Sequence, residues 1–275
     1  MKKSVINYAL LLAAVMVVAF AVWGPEKITV YKDRTVLNSI HTQTTEMEEE
    51  GYRYQLSSGE RLYILSRCLN SQTLPESEQN ALTRTEEEME YQESDGTYAF
   101  VINRQGPSGR EITDEEIYST CNQMLEEMKS RGILPDTLRE VTSGGYDAVL
   151  YSAIDVLEPR NNVSVWKVSL STNQKNADKS NRLIDAYVDA DTGKLYEFYA
   201  RTQLSWEEID PDEIINSWGD YMGLGDAEEY ETDNPLLETT PYYKKYVFKG
   251  NGEERTIVTI GFYEGINELF LKISR

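Results

Sequence analysis

The hydrophobic pattern of this chain begins with one long uncharged run near the N-terminus. Residues 5–23 read VINYALLLAAVMVVAFAVW, in which Asn7 is the only strongly polar residue. A helix of about 20 apolar residues crosses the hydrocarbon core of a bilayer, and its main-chain hydrogen bonds close within the helix. The run therefore predicts a transmembrane anchor over residues 5–23, preceded by a short stub at residues 1–4.

The charges beside this run predict its orientation. Lys2 and Lys3 directly precede it, so the positive-inside rule places the N-terminus in the cytoplasm and everything after Trp23 outside it. A cleaved signal peptide is the alternative, because it also has a basic start and an apolar run. The length of the run and the lack of a small-residue cleavage pattern after Trp23 favour a retained anchor. The expected localisation is the cell membrane, with a single pass and an extracytoplasmic C-terminal domain.

Three later segments have the pattern of amphipathic helices. Each combines an N-terminal capping signal with apolar residues at helical spacing. The predicted helices cover residues 57–70, 113–131 and 210–222. In the second helix the apolar stripe consists of Ile117, Cys121, Met124, Leu125 and Met128. Glycines at 132 and 223 supply the stop signals of the second and third helices.

The remaining apolar segments alternate in the manner of strands. One precedes the second helix, at residues 97–103, and groups of strands follow the second and third helices. The predicted strands after these helices cover residues 148–155, 163–171, 183–188, 194–201, 242–249, 256–262 and 268–273. The pattern predicts an α+β fold in which a helix covers one face of an antiparallel meander. The second and third predicted helices start about 100 residues apart, which indicates a duplicated module rather than a short solenoid repeat.

This pattern divides the exported part into three regions. An N-terminal exported α+β region covers residues 26–105. A helix-plus-meander module covers residues 110–202, and a second, diverged helix-plus-meander module covers residues 207–275. Together with the anchor, the expected fold is an N-terminal transmembrane helix followed by tandem helix-plus-antiparallel-meander modules.

The most specific motif is a turn between two of these strands. Residues 186–195 read AYVDADTGKL, so Asp189, Asp191, Thr192 and Gly193 fall at the turn. Asp side chains cap tight turns, and Gly accepts a positive φ that lets the next strand pair back. With this turn, and with WKVS at residues 166–169, the segment 112–201 resembles a PepSY-like module.

The resemblance implies a domain without catalytic activity. PepSY-like modules occur in protease propeptides, where they inhibit, and in membrane-anchored exported regulators of the YycH/YycI type that act on cell-wall sensor kinases. The predicted anchor and the tandem layout are more similar to the second group. The segment 209–275 lacks the Asp-Thr-Gly turn and resembles, at most, a diverged second copy.

Composition narrows the classes of partner. The chain carries 27 basic against 47 acidic residues, a net charge of −20. Such a surface repels nucleic-acid phosphates, so we expect no nucleic-acid partner. Solubility explains the acidity, and attraction to a basic partner or to wall cations is the alternative. Cys68 and Cys121 are able to pair in an exported domain, but their positions on apolar helix faces favour buried thiols.

The sequence gives little support for catalysis, a metal or a cofactor. His41 is the only histidine, which leaves no clear base for a triad and no usual zinc ligand set. Asp189 and Asp191 fail the EF-hand spacing, because Gly193 falls at position five and no Glu closes the loop. We predict no catalytic residue, no metal site and no cofactor. A pair of carboxylates for hydrolysis remains the enzymatic alternative.

Aromatic residues on the hairpin near this turn are the remaining signal. The interface candidates are Trp166, Tyr187, Tyr196, Phe198 and Tyr199. Most are expected in the core under the helix, whereas an exposed set of Tyr and Trp suits a protein interface. The predicted function is a non-catalytic module that regulates or scaffolds another envelope or membrane protein. The alternatives are an envelope enzyme with a carboxylate pair and a structural wall-binding protein.

Overall fold

The fold was obtained as a computed structural model, which describes residues 53–71, 97–171, 178–231, 238–250, 252 and 254–274. These residues belong to one compact unit, Tyr52–Arg275. They confirm the α+β class, with helices and one antiparallel sheet. The stub, the predicted anchor at residues 5–23 and His41 lie outside the described residues. Within the described ranges, no helix has the length and apolar character needed to cross a membrane.

The described residues form three α-helices at the places that the sequence pattern predicts. They are α1 (Ser58–Ser71), α2 (Ile117–Ser130) and α3 (Pro211–Met222). Helix α3 is capped by the Asp210 carboxylate, which accepts the N–H groups of Asp212 and Glu213, and it ends at Gly223 with a positive φ. Helix α2 begins four residues later than predicted. The Glu116 carboxylate accepts the N–H and the hydroxyl of Thr113, so this capping pair closes a turn before the helix.

In the part of the chain that the structure describes, nine strands form a single sheet in which every neighbouring pair is antiparallel. They are β1 (Tyr98–Ile102), β2 (Tyr146–Asp155), β3 (Asn162–Leu170), β4 (Arg182–Asp189), β5 (Leu195–Arg201), β6 (Glu228–Glu229), β7 (Tyr242–Lys249), β8 (Arg255–Tyr263) and β9 (Glu268–Ser274). Their order across the sheet is β1-β2-β3-β4-β5-β9-β8-β7-β6. All predicted strands are present. The two-residue β6 was not predicted, because two consecutive glutamates carry no strand signal.

The two groups of strands meet where β5 pairs with β9. Phe198 lies opposite Leu271, and Arg201 lies opposite Glu268. The strands that follow α2 and those that follow α3 therefore share one continuous sheet. We call the β5–β9 contact the seam.

One face of the sheet, here called the helix face, packs against α2 and α3. The whole predicted stripe of α2 is buried, and the Tyr118 hydroxyl of this helix donates to the carbonyl of Tyr146 on β2. From α3, the Trp218 ring contacts Phe248 on β7 with centroids 5.7 Å apart. Burial of these apolar side chains is the main source of stability for this layer.

The opposite face, here called the tyrosine face, carries Tyr151, Tyr187 and Tyr199. Phe100 on β1 stacks on Tyr151 at 4.6 Å and meets Tyr187 edge-on at 5.9 Å. Helix α1 contacts this face near β1, where Tyr63 lies edge-on to Tyr98 at 6.3 Å. The sheet thus has helices on both sides, with α1 beside the strand ends and α2 and α3 on the helix face.

Both cysteines are buried, and neither forms a disulfide. This confirms the expectation of buried thiols. Burial raises the pKa of the Cys68 thiol to about 12 and that of the Cys121 thiol to about 12. Each sulfur therefore stays protonated at neutral pH and behaves as a small apolar group.

Candidate functional site

The residues of the predicted turn motif form the connection between β4 and β5. The Asp189 carboxylate accepts the N–H groups of Asp191 and Thr192, each at 2.8 Å. The Gly193 N–H donates to the Asp189 carbonyl at 2.9 Å, and Gly193 has φ +71°. The motif therefore satisfies its own main chain. In the part of the chain that the structure describes, no group of His, Cys, Asp and Glu has an arrangement that would hold a metal ion.

We expect Gly193→Ala to destabilise the protein by about 2 kcal/mol. An alanine at this position has to adopt a positive φ, and its Cβ would lie 2.9 Å from Thr120 Cγ2 of α2. Gly132→Ala is the matched control, because Gly132 has φ +72° and nothing within 4 Å of the added Cβ. Urea unfolding should show that Gly132→Ala lowers the free energy of unfolding by less, about 1 kcal/mol. Equal losses would show that crowding against α2 contributes nothing.

An arginine from α1 binds the same turn. The Arg61 guanidinium donates to the carboxylates of Asp189 at 3.0 Å and Asp191 at 2.9 Å. The buried Tyr196 hydroxyl also donates to Asp189. Burial lowers the pKa of Arg61, but the two aspartates outweigh it and the net pKa is raised. The turn therefore anchors α1 to the sheet.

Three of the five predicted interface residues belong to the interior. Trp166 is 3% exposed, Tyr196 1% and Phe198 0%. The Trp166 indole N–H donates to the carbonyl of Ile112, just before α2, at 2.9 Å. Because these side chains are covered by the protein itself, they present no surface to a partner, and their place among the interface candidates is corrected.

The other two interface candidates lie together on the tyrosine face. Tyr187 and Tyr199 are half-buried on the adjacent strands β4 and β5. The Lys167 ammonium lies 5.6 Å from the centre of the Tyr187 ring, and the Tyr199 ring stacks against Phe270 at 5.6 Å. Burial is the main cause that raises the pKa of both phenols, and the nearby Glu197 raises them further. Both hydroxyls are thus neutral donors at physiological pH.

Glu197 lies between these two tyrosines. It pairs with Tyr187 across the β4–β5 ladder and is 6% exposed. Burial raises the pKa of Glu197 to about 7, against the opposing effects of the Ile273 N–H, Lys272 and the Tyr199 hydroxyl. The Ile273 N–H donates to the Glu197 carboxylate at 3.0 Å. A carboxyl group that changes charge near neutral pH therefore lies at the centre of this patch.

The arrangement suits binding more directly than hydrolysis. Half-buried phenols, lysines and one buried carboxyl offer hydrogen bonds and aromatic surface to a partner. Among the described residues, Glu268 is a second buried glutamate whose pKa burial raises, and its carboxylate binds Arg201 Nε at 3.3 Å. Glu268 and Arg201 form the last pair of the β5–β9 ladder, away from Glu197. These two carboxyl groups therefore do not form the close pair that a glycosidase uses.

Sequence reasoning missed Glu197, Lys167 and Arg61. A signal existed for Glu197, because strand alternation places it on the same face as Tyr199 and opposite Phe198. The pairing of β3 with β4, which brings Lys167 beside Tyr187, was equally open to inference. No local signal identifies Arg61, since its partners lie about 130 residues away.

Comparison with known proteins does not assign the chain to a family. No family model matches the chain, and no curated protein and no solved structure gives a significant match. The PepSY resemblance therefore still rests on the turn motif and on the order of helix and strands.

Proposed function

We propose that this chain is a membrane-anchored exported binding module that regulates or scaffolds a partner protein at the cell envelope. In this proposal residues 5–23 anchor the chain in the membrane. Residues 110–202 are a PepSY-like module similar to those of envelope regulators, and residues 207–275 are a second, diverged helix-plus-meander module. The module binds its partner without catalysing a reaction, and it uses no cofactor.

The observation that supports this function best is the composition of the tyrosine face. Tyr187 and Tyr199 are half-buried beside Lys167, Lys272 and Glu197. Tyrosine is enriched in protein interfaces, where its ring supplies contact area and its hydroxyl supplies a hydrogen bond. The acidic surface elsewhere favours a partner that meets this patch rather than a nucleic acid.

Site-specific photo-crosslinking in the native membrane tests the proposal. A photoreactive phenylalanine analogue replaces Tyr187 or Tyr199 in the full-length chain, and Tyr230 is the matched control. Tyr230 is 37% exposed and follows β6, at the far edge of the sheet from β1. We expect one discrete membrane protein to crosslink from Tyr187 and from Tyr199 but not from Tyr230. Equal crosslinking from all three positions, or none from the first two, would reject the tyrosine face as the interface.

The compartment is tested separately. A reporter fused to the C-terminus and active only outside the cytoplasm should be active. The same fusion to a chain in which Lys2 and Lys3 are replaced by glutamate should lose part of this activity, because the orientation depends on flanking positive charge. The exported topology would be contradicted if a second type of reporter, which works only in the cytosol, were active when fused to the C-terminus.

A further inference from the structure

The seam between β5 and β9 is closed in two different ways along its length. From Phe198–Leu271 to Arg201–Glu268 the strands pair through their main chains. Among the described residues this pairing does not continue toward the start of β5. There the Glu197 carboxylate accepts the Ile273 N–H at 3.0 Å, and two α3 side chains bind Leu195. The Leu195 N–H donates to the Tyr221 hydroxyl, and its carbonyl accepts the Trp218 indole N–H, each at 3.0 Å.

A side chain that takes the place of a main-chain acceptor gives the seam a property that a ladder lacks. A peptide carbonyl cannot change its charge, whereas a carboxyl group can. Glu197 is almost fully enclosed, so both of its charge states must be accommodated by neighbouring groups rather than by water.

The groups that face Glu197 come from every neighbouring strand. They are Lys167 on β3, Tyr187 on β4, Tyr199 on β5, and Lys272 with the Ile273 N–H on β9. Asp185 on β4 acts on the two tyrosines. The two lysines, the Tyr199 hydroxyl and the Ile273 N–H favour the charged form of Glu197, and burial favours its neutral form. Because burial prevails, the proton leaves Glu197 near pH 7 rather than near pH 4.5.

We infer that the seam is a pH-responsive junction in which Glu197 is the responding group and the Ile273 amide reports its charge. In acid the Glu197 carboxyl is neutral. As the pH rises through neutrality, a charge forms between the two groups of strands and the bond to Ile273 becomes charge-assisted. The folded state binds the proton more tightly than the unfolded state. The stability from Glu197 is therefore complete in acid and is lost as the pH rises through about 7.

This inference does not depend on the proposed binding function. If the tyrosine face does bind a partner, the same titration changes the charge between Tyr187 and Tyr199, so the two properties are linked at one group.

An NMR titration of the full-length, ¹⁵N-labelled chain tests the inference. In the wild type we expect the Ile273 amide proton shift to follow a one-proton curve with its midpoint near pH 7. In Glu197→Gln, which keeps an acceptor of the same shape but cannot ionise, the curve should disappear. Glu268→Gln is the matched control. It removes another buried carboxyl at the far end of the seam and should leave the curve unchanged.

His41→Gln provides a second control, because His41 is the only histidine and histidines also titrate near neutral pH. The curve should persist in this variant, which keeps the test decisive even if Glu197→Gln fails to fold. A flat Ile273 shift in the wild type, or a midpoint in the ordinary range of glutamate, would overturn the inference. Persistence in Glu197→Gln or loss in His41→Gln would do the same.

Discussion

Replacing Trp218 with alanine should lower the free energy of unfolding by about 4 kcal/mol. Trp218 is fully buried on α3, and its ring packs edge-on against Phe248. Its indole N–H also donates to the Leu195 carbonyl at 3.0 Å. The substitution therefore removes a large apolar contact and leaves a buried carbonyl without this donor, at a point where β9 does not replace it. Urea unfolding followed by far-ultraviolet circular dichroism measures the loss.

Trp206→Ala is the control for this prediction. Trp206 is half-buried and lies at a tilt to Tyr242, with ring centroids 6.3 Å apart. Its removal should cost about 1 kcal/mol, the usual size for a partly exposed side chain. If the two tryptophan variants lose similar stability, α3 does not close the seam in the way described.

Replacing Arg61 with methionine should cost about 3 kcal/mol, the second largest effect we expect. Methionine keeps most of the apolar stem but removes the charge that lies between Asp189 and Asp191. Arg53 lies 3.8 Å from Asp191, so this aspartate retains a cation. The loss of stability comes mainly from Asp189, because its side chain is 1% exposed and loses its cation. Chemical denaturation at neutral pH measures the change.

Arg139→Met tests whether burial is the cause. Arg139 binds Asp178 at 2.8 Å, but the two side chains are 48% and 58% exposed. An ion pair open to water contributes little, so this variant should lose less than about 0.5 kcal/mol. A comparable loss in both arginine variants would mean that the general charge balance, rather than the α1 contact with the turn, is responsible.

Most of the described fold follows from local pattern. The capping signals and the apolar stripe of α2 locate the helices, and alternation locates every strand longer than two residues. The order of the strands was not predictable in the same way. The seam joins β5 to β9 across about 70 residues of sequence, and no periodicity specifies which strand edges meet.

The candidate site was predicted only in part. Composition indicated the hairpin that carries Tyr187 and Tyr199, but it did not separate them from Trp166, Tyr196 and Phe198, which are buried. A tyrosine or tryptophan is compatible with core and surface alike, so residue type alone does not decide. The decision depends on which strand face receives α2 and α3, and that is a property of the assembled sheet.

The seam also determines how far this chain can be divided. A fragment that ends at residue 202 would carry β5 with a bare hydrogen-bonding edge, and a fragment that begins at residue 207 would carry β9 in the same state. Bare edges of this kind are templates for aggregation and strand exchange. The two halves therefore cover each other's strand edges and are not independent modules joined in series. Any truncation series should keep both halves together.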